Sequence, residues 1–556
     1  MSNQLFYGDN LDILRQYLAD ETVDLCYIDP PFNSNEDYNQ IYSTQDKQDI
    51  AQVQAFMDTW TWDDSANVGL NDIINNKNGV FTIQSIHLIL GLEKVLGKGS
   101  FLAYLVSMTQ RIAEIHRILK KTGSFYLHCD TTASHYLKLV CDALFIPRMG
   151  CFQNEITWQR TSAHNDAKKY GRNKDTIFFY TKSKQYIWTN LRLPLKELTL
   201  KNYKYSDENG RKWASDNLTA KGLTGGGYEY EYKGVKSYWR CPLETMERLD
   251  EENRLYFTKT GIRLKRYLDE NKGMALQEII TDIPALSSRS KERLGYPTQK
   301  PEELLGRIIN ASSNEGDVIL DAYCGCGTTV VVAEKLKRNW IGIDITYQSI
   351  SLILKRLEDS FGRDFTKEVI DSKTKTVKIP VTLKLNGIPQ DFAGAVALAN
   401  KQDDRLRKEF EKWAVLTFAN NRAIINDKKG GDQGIDGTAF MVDVDENGKQ
   451  VYKQVLFSVK SNKTLSPTVV RDLFGTIERE QAAIGYLITL YPMENLIKES
   501  KKYGTYQNKM FGKSYPKIEI ISIQEMLDGK RLSLPMTIEV LKSAERKNLQ
   551  NDELFD

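Results

Sequence analysis

DVILDAYCGCGTT, residues 317–329, decides the fold. An apolar run ends in Asp321, a turn holding Gly325 and Gly327 follows, and a helix is predicted from Thr328 to Leu336. Glycines at a strand-to-helix turn let the backbone approach a ligand closely, and the first N–H groups of the helix lack intrahelical partners. A second strand, predicted over Trp340–Ile345, carries Asp344, 23 residues after Asp321. An acid closing the second strand of such a unit is the usual partner of ribose hydroxyls in nucleotide-type ligands. The spacing is not GxGxxG, which disfavours a dinucleotide. Taken alone, the stretch still admits a tight turn in an ordinary core.

Working outward, helices are predicted over Glu302–Ala311 and Gln348–Leu357, so strand and helix alternate through this region. Such alternation signals a parallel, doubly wound sheet. The same grammar appears at the other end of the chain. Gln4–Tyr7 and Val23–Ile28 are apolar runs separated by leucines at helical spacing (Leu11, Leu14, Leu18). An amphipathic helix over 100–119 precedes a strand at Ser124–His128, with further strands at Glu155–Trp158 and Thr176–Tyr180.

The Val23–Ile28 strand runs directly into Asp29-Pro30-Pro31-Phe32. Consecutive prolines fix φ and remove two N–H donors, so the carboxylate and prolyl carbonyls project rigidly from the strand end. A neighbouring phenyl ring adds a stacking face. Acceptors for amine protons beside an aromatic plate suit a planar aromatic amine. A plain Pro-Pro turn becomes a weak alternative once the glycine turn is considered with it.

DPPF together with DAYCGCGTT resembles the N6-adenine/N4-cytosine DNA methyltransferases that use S-adenosylmethionine. DPPF first and the glycine turn far later resembles the β class of that family. GDNLDIL, RILKKTGSFYLHCD at 117–130, NEITWQR at 154–160, KDTIFFYTK at 174–182 and GYPTQKPEELLGRII at 295–309 extend the likeness over about residues 4–360. The resemblance implies a permuted Rossmann-like sheet, with halves at 1–184 and 291–370 and an inserted target-recognition region at 185–290. It implies catalytic roles for Asp29, Pro30, Pro31 and Phe32, with Asp rather than Ser at the first position favouring adenine. It places S-adenosylmethionine against Asp9, Thr298, Lys300, Asp321, Tyr323, Gly325, Gly327, Thr328 and Asp344. Cytosine N4 is the alternative acceptor.

Basic residues interleaved with an aromatic (Arg160, His164, Lys168, Lys169, Tyr170, Arg172, then Arg289, Lys291, Arg293) are candidates for phosphate contacts, although such runs are more often solvated faces. Cys324-x-Cys326 has no second pair to complete a metal site, and the whole chain has five histidines. His128-Cys129-Asp130 at a strand end is expected to shape the site.

Residues 371–400 read as a linker and 401–556 as a smaller α/β unit. Gly434-Ile435-Asp436-Gly437 and Ser458-Val459-Lys460 lie on two predicted strands that could bring a carboxylate and an ammonium together. This resembles the PD-(D/E)xK fold of restriction endonucleases. It implies Asp436 as a Mg²⁺ ligand, Lys460 as the catalytic lysine and Glu411 as an assisting helix acid. Ser458 departs from the pattern, standing where Glu or Gln is expected, and a hydroxyl is a poorer Mg²⁺ ligand. A fold kept only for DNA or protein contacts is the alternative there. For the whole chain, the alternative is a nuclease effector whose N-terminal half mainly recognises DNA.

Composition sets the outer bounds. The 556 residues are 41% hydrophobic and 27% charged, which excludes a disordered or collagen-like chain. No apolar run approaches the ~18–20 residues of a membrane span. No secretory signal opens the sequence, and seven scattered cysteines read as reduced thiols, so a cytoplasmic setting is expected. A net charge of +3 announces no polyanion partner by itself, so double-stranded DNA enters as an expectation from the motifs. A homodimer or a restriction-system partner is expected on the same footing.

Overall fold

The computed structural model describes residues 3–31, 37–41, 52–57, 60, 62–161, 168, 170–220, 226–287, 290–294, 296, 298–370, 377–389, 391–400, 404–419, 423–426, 434–446 and 448–534. Two compact units emerge: 1–189 with 278–556, and 190–277. The first holds a nine-stranded sheet. In chain order its strands are β1 (Asn3–Tyr7), β2 (Val23–Ile28), β3 (Leu119–Cys129), β4 (Cys151–Gln159), β5 (Lys174–Thr181), β6 (Ile279–Ile280), β7 (Val318–Asp321), β8 (Asn339–Asp344) and β9 (Leu383–Asn386). Their spatial order is β6-β4-β5-β3-β2-β7-β8-β1-β9. Every pairing is parallel except those of β5 with β3 and β4.

Strands from opposite ends of the chain therefore meet at the centre. Leu25 pairs with Ile319 and Cys26 with Leu320, so the loops after β2 and β7 leave the same sheet edge side by side. That edge is where ligands sit in open α/β sheets. Every residue of β2 and of β7 is buried, as expected of parallel strands covered on both faces. One face is covered by α1 (Asn10–Tyr17), α2 (Asp64–Ile74), α3 (Ile83–Leu96), α4 (Ser100–Ile118) and α5 (Ser134–Phe145). The other packs on α6 (Glu302–Ser312), α7 (Thr328–Lys335) and α8 (Tyr347–Phe361).

Within the 371–400 expected as a linker, the described residues 377–389 and 391–400 are built into the fold: β9 extends the sheet by pairing with β1, Leu383 is buried, and α9 (Phe392–Ala399) packs into the core. That core runs on into the C-terminal region, where α10 (Asp404–Phe418) buries Phe410 and Trp413. A five-stranded sheet follows in spatial order β10 (Ile424–Ile425), β11 (Gly437–Val444), β12 (Gln450–Lys460), β13 (Ile484–Thr489), β14 (Ile518–Ser522). Its first two pairings are antiparallel and its last two parallel.

The second unit is narrower than the 185–290 expected for the insertion and has a core of its own. A four-stranded antiparallel sheet and the hairpin Tyr228–Tyr232/Val235–Trp239 enclose Leu218, Trp239, Met246, Leu255 and Ile262. Among the described residues no helix is long and apolar enough to cross a membrane.

Candidate active site

Asp29 follows the last residue of β2, and Lys300 Nζ donates to its Oδ2. The lysine is further tied to the Thr298 carbonyl at 3.3 Å. Among the described residues, Asp29 Oδ1 is a buried acceptor with no hydrogen-bond partner. An orphaned carboxylate oxygen is costly to keep, so its place at a ligand edge calls for an incoming donor. Pro30 is buried and Pro31 partly so, fixing the chain past the acid. Phe32 lies outside the described residues.

On the neighbouring strand the glycine turn takes its shape from left-handed backbone. Gly325 has φ +50° and Gly327 φ +75°, and a Cβ on Gly327 would stand 2.7 Å from Ile353 Cγ1. Asp344 Oδ2 accepts from Gly325 N at 2.8 Å and its Oδ1 from Thr346 N at 2.9 Å, so the acid ties the two loops together. Burial pushes the Asp344 carboxyl up to about 6. Asp321 is buried and pushed up to about 7, by burial first and by the nearby Asp29 and Asp344 charges in addition.

Asp9 caps α1 by accepting from Leu11 N at 2.8 Å, and it receives Arg111 at 2.9 Å. Tyr323 places its hydroxyl 3.4 Å from Met108 Sδ. The structure thus brings Asp29, Lys300, Asp321, Gly325, Gly327 and Asp344 to one edge. Lys300 engages Asp29, where the sequence placed it beside the cofactor. Thr328 turns inward, its hydroxyl accepting from Arg356 at 3.0 Å. Cys324 and Cys326 are buried, and that burial pushes both thiols up.

Beside Asp29 lies a buried chain of which sequence reasoning named His128, expected to shape the site, and missed Tyr27 and Asp175. Tyr27 Oη lies 2.8 Å from His128 Nδ1, and His128 Nε2 lies 3.2 Å from Asp175 Oδ2. Burial opposes the Asp175 charge, but His128, Lys300 and Arg160 hold its carboxyl below the ordinary value. It missed Arg111 too, a charge at a helical position otherwise flanked by Met108 and Ile112, which was the available signal. Arg160 reaches Asp175 at 3.5 Å, and Tyr170 is 99% exposed and free to meet a ligand from solvent. His164, Lys169 and Arg289 lie outside the described residues.

In the C-terminal sheet, Gly437 pairs with Phe457, which sets Asp436, just before β11, beside Ser458 on β12. Asp436 Oδ2 already accepts from Val459 N at 2.6 Å, and Ser458 is buried. Lys460 ends β12, and Glu411 sits half-buried on α10. Among the described residues no group of three His, Cys, Asp or Glu could hold a metal ion. Asp436 would hold a Mg²⁺ there through its remaining oxygen together with water and substrate phosphate, the buried Ser458 hydroxyl being a poorer ligand.

These arrangements are those of a methylase core followed by a restriction-endonuclease fold. The chain belongs to the N6/N4 DNA methylase family, whose pattern matches residues 23–355. Residues 406–526 match a restriction endonuclease domain of the Mrr type. The chain is 31% identical over 289 residues to the Type II methyltransferase M.EcaI of Enterobacter cloacae, covering 50% of this chain and 63% of that protein. It is 30% identical over 354 residues to the Type III restriction-modification enzyme StyLTI Mod subunit of Salmonella typhimurium, covering 59% and 49%. It is 27% identical over 282 residues to the DNA adenine methyltransferase YhdJ of Escherichia coli, covering 50% and 76%. The chain thus spans less than two thirds of the first two relatives.

Proposed function

We propose that this chain methylates adenine N6 in double-stranded DNA, using S-adenosylmethionine. The observation that carries the reading is the orphaned Asp29 Oδ1 at the edge it shares with the glycine turn. S-adenosylmethionine bound there supplies a strongly electrophilic sulfonium methyl. Asp344 holds the ribose hydroxyls, and the turn at Gly325–Gly327 admits the ligand close to backbone. Asp29 Oδ1 and the Pro30 carbonyl accept from the amine, drawing nitrogen toward sp3 and aiming its lone pair at the methyl carbon. Asp29 would take up the amine proton released as the methyl group passes to nitrogen. Phe32 serves as the stacking plate for a base turned out of the duplex.

Adenine is favoured by Asp at the first DPPF position and by the adenine methyltransferase among the relatives. A restriction-modification setting is supported by the Type III Mod relative and the fused endonuclease fold. Incubation with isotopically labelled S-adenosylmethionine and unmethylated DNA, then mass spectrometry of the nucleosides, should yield N6-methyladenine. N4-methylcytosine would move the acceptor, and no labelled base on varied DNA would refute methyl transfer.

Two further results are expected. Affinity for S-adenosylmethionine should fall as pH drops through about 6, because burial holds the Asp344 pKa there and protonation removes an acceptor from the ribose. Calorimetry from pH 5 to 8 reads this, and Asp344→Asn should bind weakly with a flattened profile. The Asp436–Ser458–Lys460 strands are proposed to hold DNA without hydrolysing it. DNA with Mg²⁺ should then stay intact with wild type and Lys460→Ala alike, and cleavage lost only in Lys460→Ala would contradict this.

A further inference from the structure

Helix α10 belongs to the endonuclease-like region, yet its most buried carboxylate faces the methylase sheet. Glu409 is 7% exposed, and its Oε2 accepts from Tyr7 Oη at 3.1 Å and from the Tyr347 backbone N at 3.1 Å. Lys412, one turn on, lies 3.0 Å from Oε1. A second contact from the same helix joins Thr417 to the Tyr347 hydroxyl at 3.0 Å. The two tyrosines meet edge to face with centroids 6.1 Å apart.

What Glu409 grips flanks the cofactor acid on both sides. Tyr7 is the β1 residue paired with Asp344 on β8, and the next residue, Gly8, donates its N–H to the Asp344 carbonyl at 3.0 Å. Tyr347 opens α8, three residues after Asp344, directly behind Thr346, which Asp344 itself holds. A carboxylate on the first N–H of α8 is also favourably placed against that helix's dipole. Without it, a buried phenol and a helix-terminal N–H lose their acceptor together, and the loop bearing Asp344 loses its outer anchor.

We infer that Glu409 is a positioning residue for Asp344, so that the endonuclease-like region and the cofactor site are thermodynamically coupled. The inference rests on the reading of Asp344 as the ribose-binding acid. Coupling is reciprocal: if α10 tunes cofactor affinity, cofactor must stabilise α10. Burial followed by the Glu409 charge raises the Tyr7 phenol well above its ordinary range, which keeps it a donor at every working pH.

The test uses the full chain and S-adenosylmethionine itself. Calorimetric Kd is measured for wild type, Glu409→Ala, Glu409→Gln and Tyr7→Phe, with kcat at saturating cofactor. Hydrogen exchange across 404–418 is followed with and without S-adenosylmethionine. Glu409→Ala should weaken binding about tenfold with kcat changed by less than about twofold, as loss of hydrogen bonds to a buried charge implies. Glu409→Gln, which can still accept, should recover most of the affinity, and Tyr7→Phe should fall between. In wild type the cofactor should slow exchange in 404–418, and in Glu409→Ala that protection should vanish. Unchanged affinity in both Glu409→Ala and Tyr7→Phe overturns the coupling, as does wild-type exchange in 404–418 indifferent to bound cofactor. Should Glu409→Ala fail to fold, Tyr7→Phe and the wild-type exchange decide. A wild type that binds no S-adenosylmethionine instead refutes the cofactor reading itself, which separates the two failures.

Discussion

Asp29→Ala should lower kcat for methyl transfer by about 1,000-fold while S-adenosylmethionine Kd stays within about twofold, since removing a preorganised acceptor acts on the transition state and leaves ground-state cofactor contacts alone. The geometry separates the two effects. Asp29 follows β2, whereas Gly325 and Gly327 follow β7 and Asp344 ends β8, and the Asp344–Gly325 bond does not pass through Asp29. The alanine chain also frees Lys300 from its carboxylate partner but leaves its bond to the Thr298 carbonyl. Asn is the sharper comparison. It keeps an amide oxygen for the amine but gives up the charge that pairs with Lys300, so Asp29→Asn should retain partial activity. Single-turnover transfer of labelled methyl groups, beside calorimetry, reads both quantities. Activity of Asp29→Ala within tenfold of wild type would remove Asp29 from the amine.

The residues that could be read from sequence are those whose role is local to a strand end. DPPF after an apolar run, and Asp321 and Asp344 closing two others, announce themselves because each motif contains its own strand, turn and acid. The long-range partners were silent. Arg356 lies on amphipathic α8, where a charge reads as solvent-facing, yet it is buried against α6 and the glycine turn. Helix α2 carries Gly69 in its middle for a packing reason: a Cβ there would stand 2.7 Å from Gln110 Oε1 and 2.9 Å from Val106 Cγ1. Close approach to α4 demands what propensity disfavours. Strand β9 is four residues between Pro380 and Gly387, and only its pairing with β1 makes it a strand. Its neighbourhood therefore looks like a linker until the other end of the chain is in place.

Arg356→Ala should cost about 3–5 kcal/mol of stability, the loss seen when one partner of a buried ion pair is removed. Its guanidinium donates to the Cys326 carbonyl at 3.1 Å, to Thr328 Oγ1 at 3.0 Å and to Glu302 Oε1 at 3.0 Å. Lys335 holds the other Glu302 oxygen at 2.6 Å. Burial works against the Glu302 charge, but Arg356 and Lys335 outweigh it and hold the carboxyl below its ordinary value. An acid depressed in the folded state stabilises fully above its unfolded pKa of about 4.3, and that stability is lost as pH falls through the lower folded value. In Arg356→Ala burial acts against Lys335 alone, so acid unfolding should begin at a higher pH. Urea titrations at pH 7 and pH 4 read both the loss and its shift. Replacing Arg356 and Glu302 together by leucine should recover part of it and not all, because Glu302 is no longer left unpaired but Lys335 then loses the carboxylate it holds. The same double variant should still bind S-adenosylmethionine poorly, since Cys326 and Thr328 have lost the anchor that sets the glycine turn. Stability restored without affinity would assign Arg356 to the shape of the turn as well as to the core; affinity restored with it would confine Arg356 to packing.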